Sequence, residues 1–479
     1  MLHLTRISFP IKSLFLLLSL SLPSCAVYQG AELTEHPVEK LSNNVEDATP
    51  NTVIKSPRNK DWWTNFNEPQ LTYWVETSFK NNPSLQATFS RLNQTQAKLN
   101  IVKASNNPDL NLSLSSKVKR NKNLNTTQND NYQVVGLNAS WEIDLWGKLN
   151  AGEDKALWEN SASKNDISIK ANLIAANVSS AWVGWMVETE KIKLLTQQRK
   201  RTEQGLKIIQ RRVALGKTGR SDAWQQQGLL ESLTTLTNKA LAKSALQKQK
   251  LALWSGTLAN QLPQSPQGKF PILLSIPVSG IELKALKYRP DIQKSYAKLQ
   301  AADAEVAIAV AEQFPQLTLR ASYSSTNQSA KNIFSDWLGD FSAGLIMPII
   351  DYGQRKQTVK QKKYNLKALQ YDYLQKWQQA IFEVEEALII ANEYQQITIS
   401  LALQLELAKK IQQLKKRYYL NGQAQYLQLL QAQDSTLKLE RQLIDSKHAQ
   451  LESRLSLYSA ISHGDFISLE QKEGSSHHD

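Results

Sequence analysis

The pattern of apolar and polar positions changes period several times along the chain, in the same order twice. A helical segment is read at 69–105 and again at 282–313, alanine-rich in the second copy, each ending at a proline-marked turn, where a helix must stop. A two-residue alternation follows. Leu110, Leu112 and Leu114 alternate with Asn111, Ser113 and Ser115, and later Leu317, Leu319, Ala321 and Tyr323 alternate with Thr318, Arg320 and Ser322. That period predicts strands with two unlike faces. Stretches rich in Asn, Ser, Thr and Lys at 119–131 and 324–332 are predicted as loops, with returning strands at 132–145 and 338–350. Long helices are then predicted over 151–214 and 354–420. Gly216 and Gly422 break them, and further helices return over 221–260 and 424–462.

The recurrence is an internal duplication at an offset of 206 to 207 residues. Asn82-Pro83 matches Arg289-Pro290, Leu85 matches Ile292, Leu92 matches Leu299, and Ala97 matches Ala304. Pro108-Asp109-Leu110-Asn111-Leu112 matches Pro315-Gln316-Leu317-Thr318-Leu319, and Asp144, Gly147 and Gly216 match Asp351, Gly353 and Gly422. The period is too long for a solenoid repeat and implies two halves packed side by side. They are 61–270, with a hairpin at about 109–145 and a coiled coil at 151–260, and 271–465, with a hairpin at about 316–350 and a coiled coil at 354–462. A continuous helix over 354–420 extends roughly 100 Å. Its apolar stripes are narrow, as in Leu366, Leu369, Tyr373 and Trp377, or Leu401, Leu405, Ala408 and Ile411, which suits coiled-coil pairing. The expected fold class is mainly α with a β part, four strands per chain.

Composition and the first residues change this picture in one respect, the compartment. Arg6 and Lys12 flank the apolar run Leu14 to Leu22. It is too short to span a bilayer and reads as a secretory signal, 1–24. Leu22-Pro23-Ser24-Cys25-Ala26 resembles a bacterial lipobox, in which the cysteine, here Cys25, is lipidated. Cys25 is the only cysteine, so no disulfide joins two parts of the chain. Ala26 rather than aspartate after it favours the outer membrane, by resemblance to lipoprotein sorting. Residues 25–60 are read as a lipidated linker and 466–479 as a disordered tail. The net charge of +14 suits nucleic acid in principle, but export argues against it. The six histidines form no metal-ligand spacing apart from His477-His478, and no phosphate loop or nucleophile elbow is present. No catalytic residue, metal site or cofactor is expected. After the leader no apolar run is long enough for a membrane helix. A membrane crossing must then use strands, and four strands cannot close a barrel that needs about eight. Two or three copies must pool them.

Five strings carry a resemblance: Trp62-Trp63-x-x-Phe66-x-x-Pro69-x-Leu71, Ser140-Trp141-Glu142-Ile143-Asp144-Leu145-Trp146-Gly147, Tyr288-Arg289-Pro290-Asp291-Ile292, Phe314-Pro315-Gln316-Leu317-Thr318-Leu319, and Arg417-x-x-x-x-Gly422. Over roughly 60–465 the chain resembles the TolC-type outer-membrane factors, in their lipoprotein (NodT-like, RND-type efflux) branch. The resemblance implies a homotrimer with one twelve-stranded barrel in outer-membrane lipid. It also implies a helical periplasmic tunnel closed at its tip, fed by a periplasmic adaptor (membrane fusion protein) and an inner-membrane pump, an RND-type one. The implied function is a passive exit duct for efflux. A duct for polypeptide (type I) secretion and a non-conducting coiled-coil scaffold lipoprotein stay open as alternatives, and the two alternating hairpins weigh against the scaffold.

Particular residues follow. Trp141 and Trp146 bracket a strand end and are candidates for the membrane interface, or for packing where strand meets helix. Asp144 and Asp351 read as helix caps or turn residues. Gly216 and Gly422 mark the periplasmic tips. Arg211, Arg212, Lys415, Lys416 and Arg417 are candidates to dock the adaptor, or form a solvated face that complements helix C-termini. The family commonly carries an aspartate nine residues beyond the second tip glycine, in a ring at the constriction. Here that position is Gln431, so the gate candidates are Gln428, Gln431, Asp434 and, in the first half, Asp222. A ring of amides attracts cations less than a ring of carboxylates.

Overall fold

A computed structural model describes residues 61–123, 126–266 and 283–462, with the single positions 28, 30 and 466. The leader, Cys25, most of the linker and most of the tail lie outside the described residues. The described chain forms α1 (Pro69–Asn81), α2 (Pro83–Ser105), β1 (Asp109–Asn123), β2 (Thr126–Ile143), α3 (Lys148–Ala214) and α4 (Arg220–Ser255). The order then repeats as α5 (Pro290–Ala311), β3 (Gln316–Asn327), β4 (Trp337–Ile346), α6 (Gln354–Leu420) and α7 (Tyr426–Ile461). The duplication is visible in the lengths: α3 and α6 both have 67 residues, and α4 and α7 both have 36. The chain divides into two compact units, one holding 98–157 and 300–368, the other 61–97, 158–266, 283–299 and 369–462.

The first unit holds one antiparallel sheet in the order β1-β2-β3-β4. The hydrophobic alternation sets its faces. Leu110, Leu112 and Leu114 lie opposite Ala139, Leu137 and Val135. These continue opposite Ala321, Tyr323 and Ser325, and Leu317, Leu319 and Ala321 lie opposite Leu345, Ala343 and Phe341. The apolar side chains thus share one face, and a one-residue slip would scatter them. Most of them are not covered, Leu112 being 70% exposed and Phe341 72%, although Val135 is buried. The other face is polar and bonded within itself, as where Asn138 Nδ2 donates to Ser113 Oγ at 2.9 Å.

Three expectations are corrected here. The loop expected at 119–131 is mostly strand, because Lys119 pairs with Asp130 and Asn123 with Thr126. Ladder bonds use backbone groups, which a polar composition does not reveal. The strand expected to reach 350 ends at Ile346. Pro348 follows, and proline cannot donate to a ladder. The helical segments at 69–105 and 282–313 are each broken in two, before Pro83 and before Pro290. Pro83 sits at the first position of α2, where its missing N–H costs nothing. Asn82 caps it, its Oδ1 accepting from Ser84 N at 2.9 Å.

The second unit packs its core around these junctions. Trp62, Trp63 and Phe66 join Leu71, Val75 and Phe79 of α1, Leu85 and Phe89 of α2, the stretch of α3 from Ile167 to Val187, and Leu451 and Leu455 of α7. Phe466, at the head of the expected tail, belongs to the same cluster. The indole of Trp62 donates to Asn172 Oδ1 at 2.9 Å, and Asn172 Nδ2 donates to Ser459 O. The two repeats use one device with different residues. Asn82 Nδ2 donates to Trp254 O at 2.8 Å, and Arg289 Nη1 donates to Ala460 O at 2.9 Å. Each ties the head of one helix to the end of its repeat's returning helix. Arg289 is buried and also pairs with Asp291 at 2.9 Å and Glu383 at 2.7 Å. Burial pushes the Asp291 carboxyl up, but the hydrogen bonds and charge of Arg289 outweigh it and hold the group below its ordinary range.

The sign of the pH dependence follows. Because Asp291 is depressed in the folded chain, its contribution is present above the ordinary aspartate range and is lost as pH falls through its folded value. Arg289→Ala leaves two carboxylates near a buried gap and is expected to cost about 3–5 kcal/mol. Thermal unfolding of the purified protein as a function of pH checks both. The natural chain should lose stability on acidification below about pH 4, and the variant should be less stable at pH 7 with a flatter acid limb.

Candidate functional site at the helix reversals

The two 67-residue helices end in the same way. At the first, Gly216 has φ +66° and Lys217 N donates to Arg212 O at 2.9 Å. At the second, Gly422 has φ +74° and Gln423 N donates to Tyr418 O at 2.8 Å. This six-to-one bond closes a Schellman turn, which needs a residue in the left-handed region after the helix. A Cβ added at either glycine would meet open space, so the demand is one of backbone conformation alone.

Behind the turns lies a small core of Ile209, Tyr419, Tyr426 and Leu429, with Val213, Ala223 and Leu430 packed against it. The Tyr419 and Tyr426 rings are 5.4 Å apart. Arg212 lies over the Tyr419 ring, 4.7 Å from its centre, a cation–π contact. Tyr426 Oη donates to the amide oxygen of Gln226. Gln226 Nε2 in turn donates to Thr202 O at 3.0 Å. Burial first, then the neighbouring Tyr419 and Asp222, pushes the Tyr426 phenol well above its ordinary range, so it stays a donor. One buried chain of hydrogen bonds thus joins α7 to α4 and α4 to α3. A second staple sits further along the helices. Buried Gln198 donates to Glu440 Oε2 at 2.8 Å and accepts from Arg441 at 3.0 Å.

The sequence candidates fall out unevenly around this cluster. Arg212 is drawn onto Tyr419, while Arg211, Lys416 and Arg417 are exposed. Lys415 Nζ donates to Gln428 Oε1 at 2.9 Å across the second turn. Gln428, Gln431 and Asp434 are all exposed on α7. Asp222 accepts from Thr218 Oγ1 in the first turn of α4, a placement that favours the helix N-terminus. The residues missed from sequence are Tyr419, Tyr426 and Gln226. The two tyrosines flanking the second turn were the available signal, whereas Gln226 reads as one more surface glutamine.

The membrane candidates lie in the other unit. Trp141 is 39% exposed, and its indole donates to Asn106 O at 3.0 Å. Trp146 stacks on Phe314 with ring centres 5.0 Å apart and donates to Pro315 O at 2.6 Å. Asp351 accepts from Gly353 N and Arg355 N and caps α6, and Asp144 accepts from Asn150 N near the start of α3. Among the described residues no group of three or more His, Cys, Asp or Glu side chains is placed to hold a metal ion. Among them too, no helix is long and apolar enough to cross a membrane.

The sequence pattern of the family described as outer membrane efflux protein matches residues 74–257 and 283–463. The probable outer membrane lipoprotein SilC of Salmonella typhimurium is 24% identical over 433 residues, covering 89% of this chain and 92% of that protein. The cation efflux system protein CusC of Escherichia coli K12 is 23% identical over 465 residues, covering 95% and 100%. The fold is shared with the crystal structure of the Campylobacter jejuni CmeC outer membrane channel. There the TM-score is 0.82 at 20% identity, over 89% of this chain and 93% of that one.

The turn geometry makes a specific demand on position 422. Gly422→Ala is expected to cost about 1–2 kcal/mol, because any Cβ disfavours the left-handed region, while Gly422→Asn should cost less. Hydrogen exchange of amides in the last turn of α6 checks this. The alanine variant should exchange faster there, with protection around Trp62 and Trp63 unchanged.

Proposed function

The chain belongs to the outer membrane efflux protein family, and from that premise we propose that three copies pool their strands into one twelve-stranded barrel continuous with a helical exit duct. The observation that carries this reading is the four-stranded sheet, with unpaired edges at β1 and β4 and a mostly uncovered apolar face. Such a face suits lipid, and such edges cannot stay open within lipid, where each unsatisfied backbone group costs several kcal/mol. The polar face, with Asn111, Ser113, Asn138, Ser140 and Thr318, would line the bore. Cargo would arrive from an inner-membrane pump through a periplasmic adaptor, and the duct would supply the exit.

On this reading the helix reversals are the periplasmic end. The exposed Arg211, Lys416 and Arg417, with Lys415 beside them, would orient the adaptor. Gln428, Gln431 and Asp434 would stand at the constriction, largely as amides. Cys25 would carry the lipid that holds the mature chain in the outer membrane.

Two experiments test it. Purified mature protein in a planar bilayer should give discrete, long-lived conductance steps with weak cation selectivity. A well-folded oligomer that never conducts would favour the scaffold reading. Reversing Lys415, Lys416 and Arg417 together to glutamate should weaken adaptor crosslinking in cells, chiefly through slower association. Undiminished crosslinking and export would remove these residues from the docking surface.

A further inference from the structure

The internal duplication can be used as a ruler. Within the first hairpin Asp109 pairs with Ser140 and Ser115 with Val134. Moving the first strand by 207 residues and the second by 206 gives Gln316 with Ile346 and Ser322 with Asp340, and those are pairs of the second hairpin. The two hairpins therefore have one register when β4 is placed at the 206 offset of Gly147 and Gly353, not the 207 offset of Asp144 and Asp351. The chain also holds one seam between its repeats, β2 against β3, where Ala139 pairs with Ala321, Val135 with Ser325 and Val134 with Thr326. A closed ring of repeats needs the same seam between copies, β4 against β1.

Resting on the pooled-barrel reading, we infer that β4 of one copy pairs antiparallel with β1 of the next in a single register, set by carrying the β2–β3 seam across the duplication. In that register Leu345 lies opposite Leu114 of the partner subunit, Phe341 opposite Val118 of the partner subunit, and Asp340 opposite Lys119 of the partner subunit. Beyond the end of β4, Met347 and Ile349 extend towards Leu112 and Leu110 of the partner subunit.

Two features of the side chains agree with this register. First, apolar residues meet apolar residues. Phe341, Leu345, Val118 and Leu114 are 64–75% exposed in the single chain, and the seam puts all four on the apolar face. A one-residue slip would set Leu345 against Ser113 or Ser115 and turn a whole strand face over. A two-residue slip would set Phe341 against Ser116 or Arg120. Second, opposite charges meet at Asp340 and Lys119, a favourable cross-strand pair. The seam also accounts for Tyr352. It holds the place in the second repeat that Trp146 holds in the first, yet it is fully exposed with φ +51°. Trp146 closes the seam within the chain, on Phe314 and Pro315. In the seam between copies, Tyr352 lies over the Asn107–Pro108 turn of the partner subunit.

Paired cysteines test the register in the full chain. Directly opposed Cβ atoms are about 4.5–5.5 Å apart and diagonal ones are farther, about 7–8 Å between residues, so a disulfide selects the opposed pair. The double variants are Leu345→Cys with Leu114→Cys and, on the polar face, Asp340→Cys with Lys119→Cys. The slipped controls are Leu345→Cys with Leu112→Cys and with Ser116→Cys. Each single variant controls for links through Cys25. After mild oxidation in membranes, the first two should run as reductant-sensitive covalent oligomers and the slipped controls as single chains. Preferential linking of a slipped control overturns the register. If no double variant links while all still conduct in bilayers, the β4–β1 seam itself is overturned. Absence of conductance from the unsubstituted chain would instead strike at the pooled barrel, so the two failures are distinguishable.

Discussion

A strand that meets lipid must satisfy its backbone groups in the sheet, because the hydrocarbon offers no other partner. The described residues bring four strands, leave most of one apolar face exposed and leave β1 and β4 as open edges. In water such edges invite uncontrolled pairing. In a membrane they require further copies of the same sheet. Much of the rest of the chain can be understood as meeting that requirement in an ordered way. On the proposed pooling, the duplication would make the seam within one chain a template for the seam between chains. The tryptophan core, the capping prolines and the Arg289 hub fix the helices of each repeat.

The long helices face a different problem. Outside the core stretch Ile167–Val187 of α3, the long helices bury only small apolar clusters, such as Leu195 with Leu233 and Ile209 with Tyr419, so pairing there is weakly specified by hydrophobic contact alone. The structure adds buried polar staples at intervals. Gln198 joins α3 to α7 through Glu440 and Arg441. Nearer the turns Tyr426, Gln226 and Thr202 join α7, α4 and α3. A buried amide or phenol that loses its partner costs roughly 1–3 kcal/mol. Each staple therefore favours one alignment of the helices over slipped ones.

Much of this was legible in the sequence, because the periodic signals are long. Gly216 and Gly422 located both reversals, and α6 has the bounds read from its pattern, 354–420. The alternation from Leu110 to Leu114 and from Leu317 to Tyr323 gave the strands and their faces. The polar ends of β1 and β2 were not legible. Residues such as Lys119 and Asn131 look like loop, and only the backbone ladder makes them strand. The role of Arg289 was hidden for a related reason. The string Arg289-Pro290-Asp291-Ile292 could be seen, but its partners Glu383 and Ala460 are distant in sequence. Gln226 and Gln198 are two among many glutamines, and only their burial sets them apart.

The central claim is that the sheet closes only when copies combine. Native mass spectrometry of the detergent-solubilised protein measures that directly. The account predicts one dominant species of three chains, with no folded single chain at equilibrium at micromolar concentration. A stable, folded single chain that still opened conducting pores would contradict it, because four strands would then have closed without partners.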